Sequence, residues 1–376
     1  MKKLGVAFVG IDTAKVRNAV AVAESGRNGE VCCLGAFDNT PDGVSKLIRK
    51  LASRHEALHV CCEAGPTGYG LYRQVLARGH ECTVVAPSLI PRRPGDRVKT
   101  NRRDAQSLAR LLRAGELTAV WVPDETHEAV RDLVRTRVMA IEDYRRKRQH
   151  VTSFLLRHGR AYEGKANWKG HHLRWLDGQN FSHPAQRLAF QEMLNAVRAA
   201  AERIERLEAA LEEIVPSWTM APVVAAFQAM RGVKFLTATT MVAEAGDLRR
   251  FDHPRQLMAF LGLVPSERST GDTRRQGGIT KIGITRARKA LVEAAWTYRH
   301  SAGLGRHHQD RQRGLPQRVR DIAWKAQTRL CARYRRLMAK GKRNTVAVTA
   351  VGREIAAFLW AIAREVEPMS LMAAKG

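Results

Sequence analysis

Leu4 to Asp12 reads LGVAFVGID, an apolar, Val-containing run short enough for a buried strand and closed by an acid. NAVAVAES follows at once and EVCCLGAF comes after the turn-forming GRNG, which together predict a three-stranded meander. From Pro41 to Ala52 the period turns helical, with Val44, Leu47, Ile48 and Leu51 on one face. HVCCEAGPTGYG then repeats the first pattern: an apolar run, a carboxylate at its end (Glu63), and a Gly-Pro-Gly loop opening the helix GLYRQVLARG. The strand ECTVVAP comes next, and this rhythm predicts an α/β domain with a central mixed sheet.

In VKTNRRDAQSLARLL, Val98 to Leu112, Thr100 or Asn101 can cap a helix whose Ala105, Leu108, Leu111 and Leu112 face the sheet. Asn101, Asp104, Leu108 and Leu111 recur at helical spacing, so Asp104 is expected on the buried stripe. After WVPD, a helix from Glu125 to His158 carries Val130, Val134, Val138, Ile141, Val151 and Leu155 on one side and the basic block Arg145, Arg146, Lys147 and Arg148. Gly159 to Pro184 has no clear period and reads as a linker with local structure. From Phe190 to Ile214 the apolar steps of four and three predict a coiled-coil seam, whose partner is either another helix of this chain or a second copy. After Pro216 the chain is helical again. MRGVKFLTATTMVAEAGD resembles a helix-hairpin-helix element with Lys234 where the second hairpin glycine would stand, and a Gly-rich basic loop, GLVPSERSTGDTRRQGGITKIG, precedes the helix ARKALVEAAWTYRH. The expected fold class is α/β plus α, divided as 1–158, 159–215, 216–362 and a tail, 363–376.

Charge narrows the function. Sixty-four Lys plus Arg against 36 Asp plus Glu give the 376-residue chain a net charge of +28, beyond what solubility requires, so a polyanion is the expected partner. No signal peptide and no apolar run of about 18 residues is read, so the polyanion is nucleic acid and not a membrane, and the expected place is the cytoplasm, at the nucleoid. Arg299 to Arg343 holds 14 Lys or Arg against two acids, with Trp296, Tyr298, Trp324 and Tyr334 as candidate stacking platforms. The six cysteines show no C-x-x-C spacing, which argues for reduced buried thiols and against zinc.

Asp12 and Glu63 end strands, and Asp104 lies near the start of a helix packed on the same sheet. Singly, each acid reads as a helix cap or the partner of an arginine. Jointly they form a set of hard oxygen ligands for Mg2+ or Mn2+, in the manner of a phosphodiester-cleaving centre. Asn101, one turn earlier, adds an uncharged oxygen.

The stretches VGIDTAK, CCEAGPTGYG, VKTNRRDAQSLARLLRAGELTAVWVPD, FLGLVPSERSTGDTRRQGGITKIG and ALVEAAWTYRH occur in one order. From residue 4 to about 362 the chain resembles insertion-sequence transposases that join a RuvC-like DEDD domain to a catalytic-serine domain, the bridge-RNA-guided recombinases, with the Piv DNA invertases as relatives. The resemblance implies an RNase H-like N-terminal domain, a helical coiled-coil linker and a mainly helical C-terminal domain. It implies that Asp12, Glu63 and Asp104 are catalytic metal ligands. The third acid of the DEDD set falls on Asn101, where the commoner reading is T-D-R-R-D-A, which weakens a second metal.

The implied nucleophile is a serine after G-L-x-P. Ser266, Ser269 and Thr270 are the candidates, with Ser269 favoured and Thr270 second. Arg274, Arg275 and Lys281 behind it, together with Arg102, Arg103 and the Arg145–Arg148 block, are expected on phosphates. The resemblance further implies strand exchange between donor and target DNA through a covalent phosphoserine, choice of sites by a structured noncoding guide RNA, and a homo-oligomer, dimer to tetramer. Two other readings stay open: a metal-dependent junction nuclease or invertase using the carboxylates alone, and a non-catalytic nucleic-acid-binding protein.

Overall fold

A computed structural model of the chain describes residues 4–26, 29–91, 100–164 and 167–369. Arg27 and Asn28 of the expected GRNG turn, Val98 and Lys99 of the VKTNRRD stretch, and the last part of the expected tail lie outside the described residues. By its contacts the chain divides into two compact units, Met1–Val122 and Pro123–Gly376.

In the first unit, β1 (Leu4–Asp12), β2 (Arg17–Glu24) and β3 (Val31–Asp38) form the expected antiparallel meander, followed by α1 (Pro41–Ala52), β4 (His55–Glu63), α2 (Gly68–Leu76) and β5 (Glu81–Val85). The sheet order is β3-β2-β1-β4-β5, with β4 parallel to both β1 and β5. This mixed five-stranded order is consistent with an RNase H-like domain. α1 is capped by Thr40, whose hydroxyl accepts from the Gly43 amide at 3.1 Å, and it buries the four residues named for its apolar face. Those residues join Val9, Ile11, Val60 and Cys62 and α2's Leu71 and Val75 in one core.

The other face of the sheet carries α3 (Asn101–Arg113) on small residues. Ala19, Ala21 and Ala23 of β2 meet Ala105 and Ala109, and a Cβ on Gly10 would lie 2.3 Å from the Ala105 carbonyl oxygen. Only the absence of a side chain there lets the helix backbone approach the strand so closely. The cysteine doublet splits across the sheet, Cys61 donating to the Leu108 carbonyl at 3.6 Å and Cys62 to the Gly68 carbonyl at 3.7 Å.

In the second unit, α4 (Glu125–Arg157) and α6 (Pro184–Ile214) run antiparallel. Val130 and Val134 pack in one cluster with Leu211, and Phe154 and Leu155 pack in another with Phe190 and Leu194. The seam read from Phe190 to Ile214 therefore finds its partner within the chain, and α4 belongs to the compact unit that begins at Pro123. The stretch read as a linker contains α5 (Gly170–Asp177) and an aromatic cluster: Phe181 sits edge-on to Phe154 at 5.2 Å, and His172 stacks on Trp175 at 5.6 Å. A helix of two turns is too short to show a period, and its aromatics are held by contacts distant in sequence.

The remaining elements are α7 (Ala221–Phe227), α8 (Phe235–Ala245), α9 (Pro254–Phe260), β6 (Pro265–Thr270), β7 (Thr273–Ile279), α10 (Thr285–Ala295), α11 (Arg306–Gln312), α12 (Gln317–Ala339) and α13 (Asn344–Ala363). Phe227, Met230, Met241, Leu291, Ile355 and Leu359 are fully buried in one core. α13 is long and apolar enough to span a membrane by composition, yet half of that window is buried inside the protein, as in a core helix. In the helix-hairpin-helix segment Gly232 packs on the end of α10, where a Cβ would meet the Ala294 carbonyl at 2.4 Å, so this glycine seats the turn on the core. Tyr298 is wholly buried and Tyr334 nearly so, which removes both as stacking platforms; Trp324, 45% exposed, keeps that capacity.

Candidate active site

The parallel register Gly10↔Cys61 and Ile11↔Cys62 places Asp12 and Glu63 at the same level, at the C-terminal ends of neighbouring strands. Side chains alternate along a strand. Because Ile11 and Cys62 lie in the core with α1 and α2, Asp12 and Glu63 belong to the opposite face, the one α3 covers. Asp104 immediately precedes Ala105, the residue seated on Gly10, so the third acid stands in the first turn of the helix on that face. Thr100 caps this helix, its hydroxyl accepting from the Arg103 amide at 3.3 Å.

The three acids are half-buried, while Asn101, Arg102 and Arg103 are exposed. Asp104 thus sits at the rim of the buried stripe, beside Ala105, Leu108 and Ala109 at its centre. Among the described residues no three His, Cys, Asp or Glu side chains stand close enough to enclose a cation. The donor chemistry of two strand-end carboxylates, a helix-start carboxylate and the uncharged Asn101 oxygen one turn away suits a hard divalent ion, though these side chains are not gathered into a ready-made cage.

The second group of candidates lies on a feature the sequence reading had as a loop. β6 and β7 form a two-stranded hairpin, paired Glu267↔Gln276, Arg268↔Arg275, Ser269↔Arg274 and Thr270↔Thr273. Gly271, at φ +55°, and Asp272 make the two-residue turn, a connection of the II′ kind. Every residue from Ser266 to Gly278 is exposed, so neither face shows the apolar alternation that betrays a strand.

Strand alternation puts Glu267, Ser269, Arg274 and Gln276 on one face of this ribbon, with Thr270 on the other. The Ser269 hydroxyl donates to Glu267 Oε1 at 2.8 Å, while Arg274 Nη2 and Gln276 Nε2 donate to Oε2 at 3.0 and 3.3 Å. The Arg274 guanidinium first, then the Ser269 hydroxyl and the Gln276 amide, hold the Glu267 carboxyl down to about 2. Ser266 is engaged elsewhere, donating to the Gly278 carbonyl at 3.1 Å.

The ribbon is pinned at its base. Arg288 of α10, 8% exposed, donates to the Leu261 carbonyl at 2.8 Å and the Ile282 carbonyl at 3.2 Å, one on each leg. Gly262 and Gly283 let the legs cross, since a Cβ at either would lie 2.0 Å or less from a backbone oxygen of the other. Lys281 takes a left-handed conformation in the same crossing, with φ +59°.

Sequence reasoning missed both Glu267 and Arg288. Glu267 was findable, because two residues apart on a strand means one shared face; a buried arginine carries no signal distinguishing it from a surface one. Of the expected phosphate-binding cations, Arg275 stands exposed on the ribbon. The Arg145–Arg148 block is partly engaged: Arg146 pairs with Asp143 at 2.7 Å, and Arg148 lies over the Trp168 ring at 4.6 Å.

Comparison with known proteins matches both regions. Residues 9–159 match a family described as Transposase, the DEDD type of IS110, and residues 224–312 match the Transposase IS116/IS110/IS902 family. The chain is 57% identical over 359 residues to the putative transposase y4qE of Sinorhizobium fredii, covering 96% of this chain and 89% of that one. It is 31% identical over 341 residues to the transposase for insertion sequence element IS1533 of Leptospira borgpetersenii, covering 89% and 98%. A probable family 20 transposase of Pseudomonas aeruginosa is 27% identical over 249 residues, covering 63% and 70%.

Proposed function

The chain belongs to the IS116/IS110/IS902 family of transposases, and from that premise we propose that it joins DNA strands through a covalent serine intermediate formed at Ser269. Membership in the family makes it an enzyme of DNA transposition or recombination that cleaves and transfers strands, with a DEDD-type domain suited to a divalent ion. The observation that carries the finer reading is the ribbon face on which Ser269 bonds to Glu267 beside Arg274, fully accessible to a duplex.

A serine hydroxyl is a weak nucleophile until its proton has an acceptor. Here a carboxylate holds that proton at hydrogen-bond distance, and Arg274 and Arg275 supply cations for a phosphate. Thr270 lies across the strand without this acceptor. In the first unit Asp12, Glu63 and Asp104 would hold Mg2+ or Mn2+, which when bound stabilises charge developing on phosphodiester oxygens. Asn101 brings no charge, which weakens a second ion in the set.

Guidance by a structured noncoding RNA and assembly as a dimer to tetramer belong to the same proposal. They rest on the sequence resemblance and on a charge of +28, which exceeds the demands of one short DNA contact. The test supplies the gene in its native flanking DNA and traps protein-linked DNA in detergent. Ser269→Ala abolishes the adduct and Thr270→Ala retains it. Cleavage that survives both substitutions but dies with Asp104→Ala returns the reading to a carboxylate-only nuclease. RNase treatment of the purified protein before DNA is added removes activity if RNA chooses the sites, and leaves it intact if it does not.

A further inference from the structure

Ser269 and Glu267 belong to one strand face, where Glu267 also bridges to Arg274 and Gln276 of the facing strand. Its three hydrogen bonds come from Ser269, Arg274 and Gln276, and it has no role in the base of the hairpin, which Arg288 holds. We propose that Glu267 is the catalytic group that accepts the Ser269 proton, and that Arg274 gates it by exchanging Glu267 for the scissile phosphate. This rests on the reading of Ser269 as nucleophile.

In the resting geometry the Arg274 guanidinium occupies Oε2 while the serine hydroxyl occupies Oε1, so the base carries its substrate proton and its restraint together. A carboxylate held down to about 2 is a poor proton acceptor at neutral pH. An arginine fork pairs with phosphate as well as with carboxylate, and Glu267 holds Arg274 here through a single Nη2 bond that leaves the rest of the fork for an incoming phosphate. Arg274 is 68% exposed, free on its solvent side to turn toward an incoming backbone. Its departure restores basicity to Glu267 at the moment the phosphorus comes within reach, which keeps the serine quiet until DNA is seated.

The step balances. The Ser269 oxygen forms a bond to phosphorus using the electron pair freed as its proton moves to Glu267 Oε1. The bond from phosphorus to one bridging sugar oxygen breaks, and that oxygen leaves as a hydroxyl, taking up one proton, with Glu267 or water as the donor. Resolution by a free strand hydroxyl reverses these moves, and Glu267 then returns a proton to Ser269.

The full chain is purified with the nucleic acid that accompanies it from cells carrying the gene in its native flanking DNA, and that plasmid is added back. Protein-linked DNA is followed over time between about pH 6.5 and 9. The groups that bond to Glu267 are a serine, an arginine and a glutamine, with no histidine or cysteine among them. Wild type therefore gives a flat profile. Glu267→Gln lowers the adduct rate about a hundredfold with DNA binding retained, and its rate climbs with pH as hydroxide replaces the lost base. Glu267→Asp recovers part of the rate, which a purely structural role in the ribbon would not produce. Arg274→Gln weakens both binding and rate.

A Glu267→Gln protein with wild-type adduct rate and a flat profile overturns the proposal while leaving Ser269 in place. An adduct persisting in Ser269→Ala overturns the nucleophile itself.

Discussion

The two groups of candidate residues are held by opposite means. Asp12 and Glu63 end neighbouring strands and Asp104 opens the helix packed on them, and backbone contacts such as that between Gly10 and Ala105 lock the two elements together. Ser269 and Glu267 stand on a ribbon exposed from Ser266 to Gly278 and held at its base by Arg288, two crossing glycines and Ile279, which packs on the helical core. A cation site requires fixed distances, because the ion tolerates little variation in its ligands. A nucleophile that must reach a bulky duplex requires access, and an isolated two-stranded hairpin gives it at the expense of intrinsic stability.

The largest test of this contrast is chemical. Asp104→Ala is expected to lower strand transfer by about 10³-fold or more with the melting midpoint unchanged, since the residue is half-buried at a helix start. Wild-type transfer in that variant, measured on the native plasmid, would make the sheet edge irrelevant to catalysis. Next comes packing: Gly10→Ala places a carbon 2.3 Å from a backbone oxygen and is expected to destabilise the first unit by about 2–3 kcal/mol, read as loss of hydrogen-exchange protection in β1 and α3.

On the ribbon the same class of change is milder. Gly271→Val forces a β-branched residue to a positive φ, at a cost of about 1–2 kcal/mol confined to the turn, so adduct formation falls while global unfolding is unmoved. The smallest effect is a pH dependence. His127, His172 and His308 are each lowered from the usual 6.5, chiefly by burial, so the unfolded chain binds protons there that the folded one does not. Their contribution is present above about pH 6.5 and declines as pH falls toward the folded values. Melting of the helical unit followed from about pH 7 to 5 checks the sign. The ribbon differs, since Glu267 stays ionised until pH nears about 2 and its cross-strand bonds persist through that range.

Legibility followed the same division. β1, α1 and α3 could be read from sequence because each buries one face, and burial imposes a period: Val44, Leu47, Ile48 and Leu51 mark α1 in the chain as they do in the core. Asp12 and Glu63 were visible as acids closing apolar runs. The ribbon was invisible for the converse reason. Its SERST and TRRQGG strands face solvent on both sides, so no hydrophobic signal distinguishes them from a loop, and the Gly271-Asp272 turn was the single local sign. With the strand unread, the kinship of Glu267 and Ser269 was hidden as well. The partner of the α6 seam was undecidable from one sequence, because a helix face states only that something covers it.

The antiparallel pair of α4 and α6 has a mechanical consequence. α4 has 33 residues and α6 has 31, so the pair extends about 45–50 Å. A rod of that length is a lever: a tilt of about 10° at one end carries the far tip through roughly 8 Å, more than two base-pair steps along a duplex. Small adjustments where the rod meets the helical core are thereby converted into displacements on the scale of the nucleic acid itself.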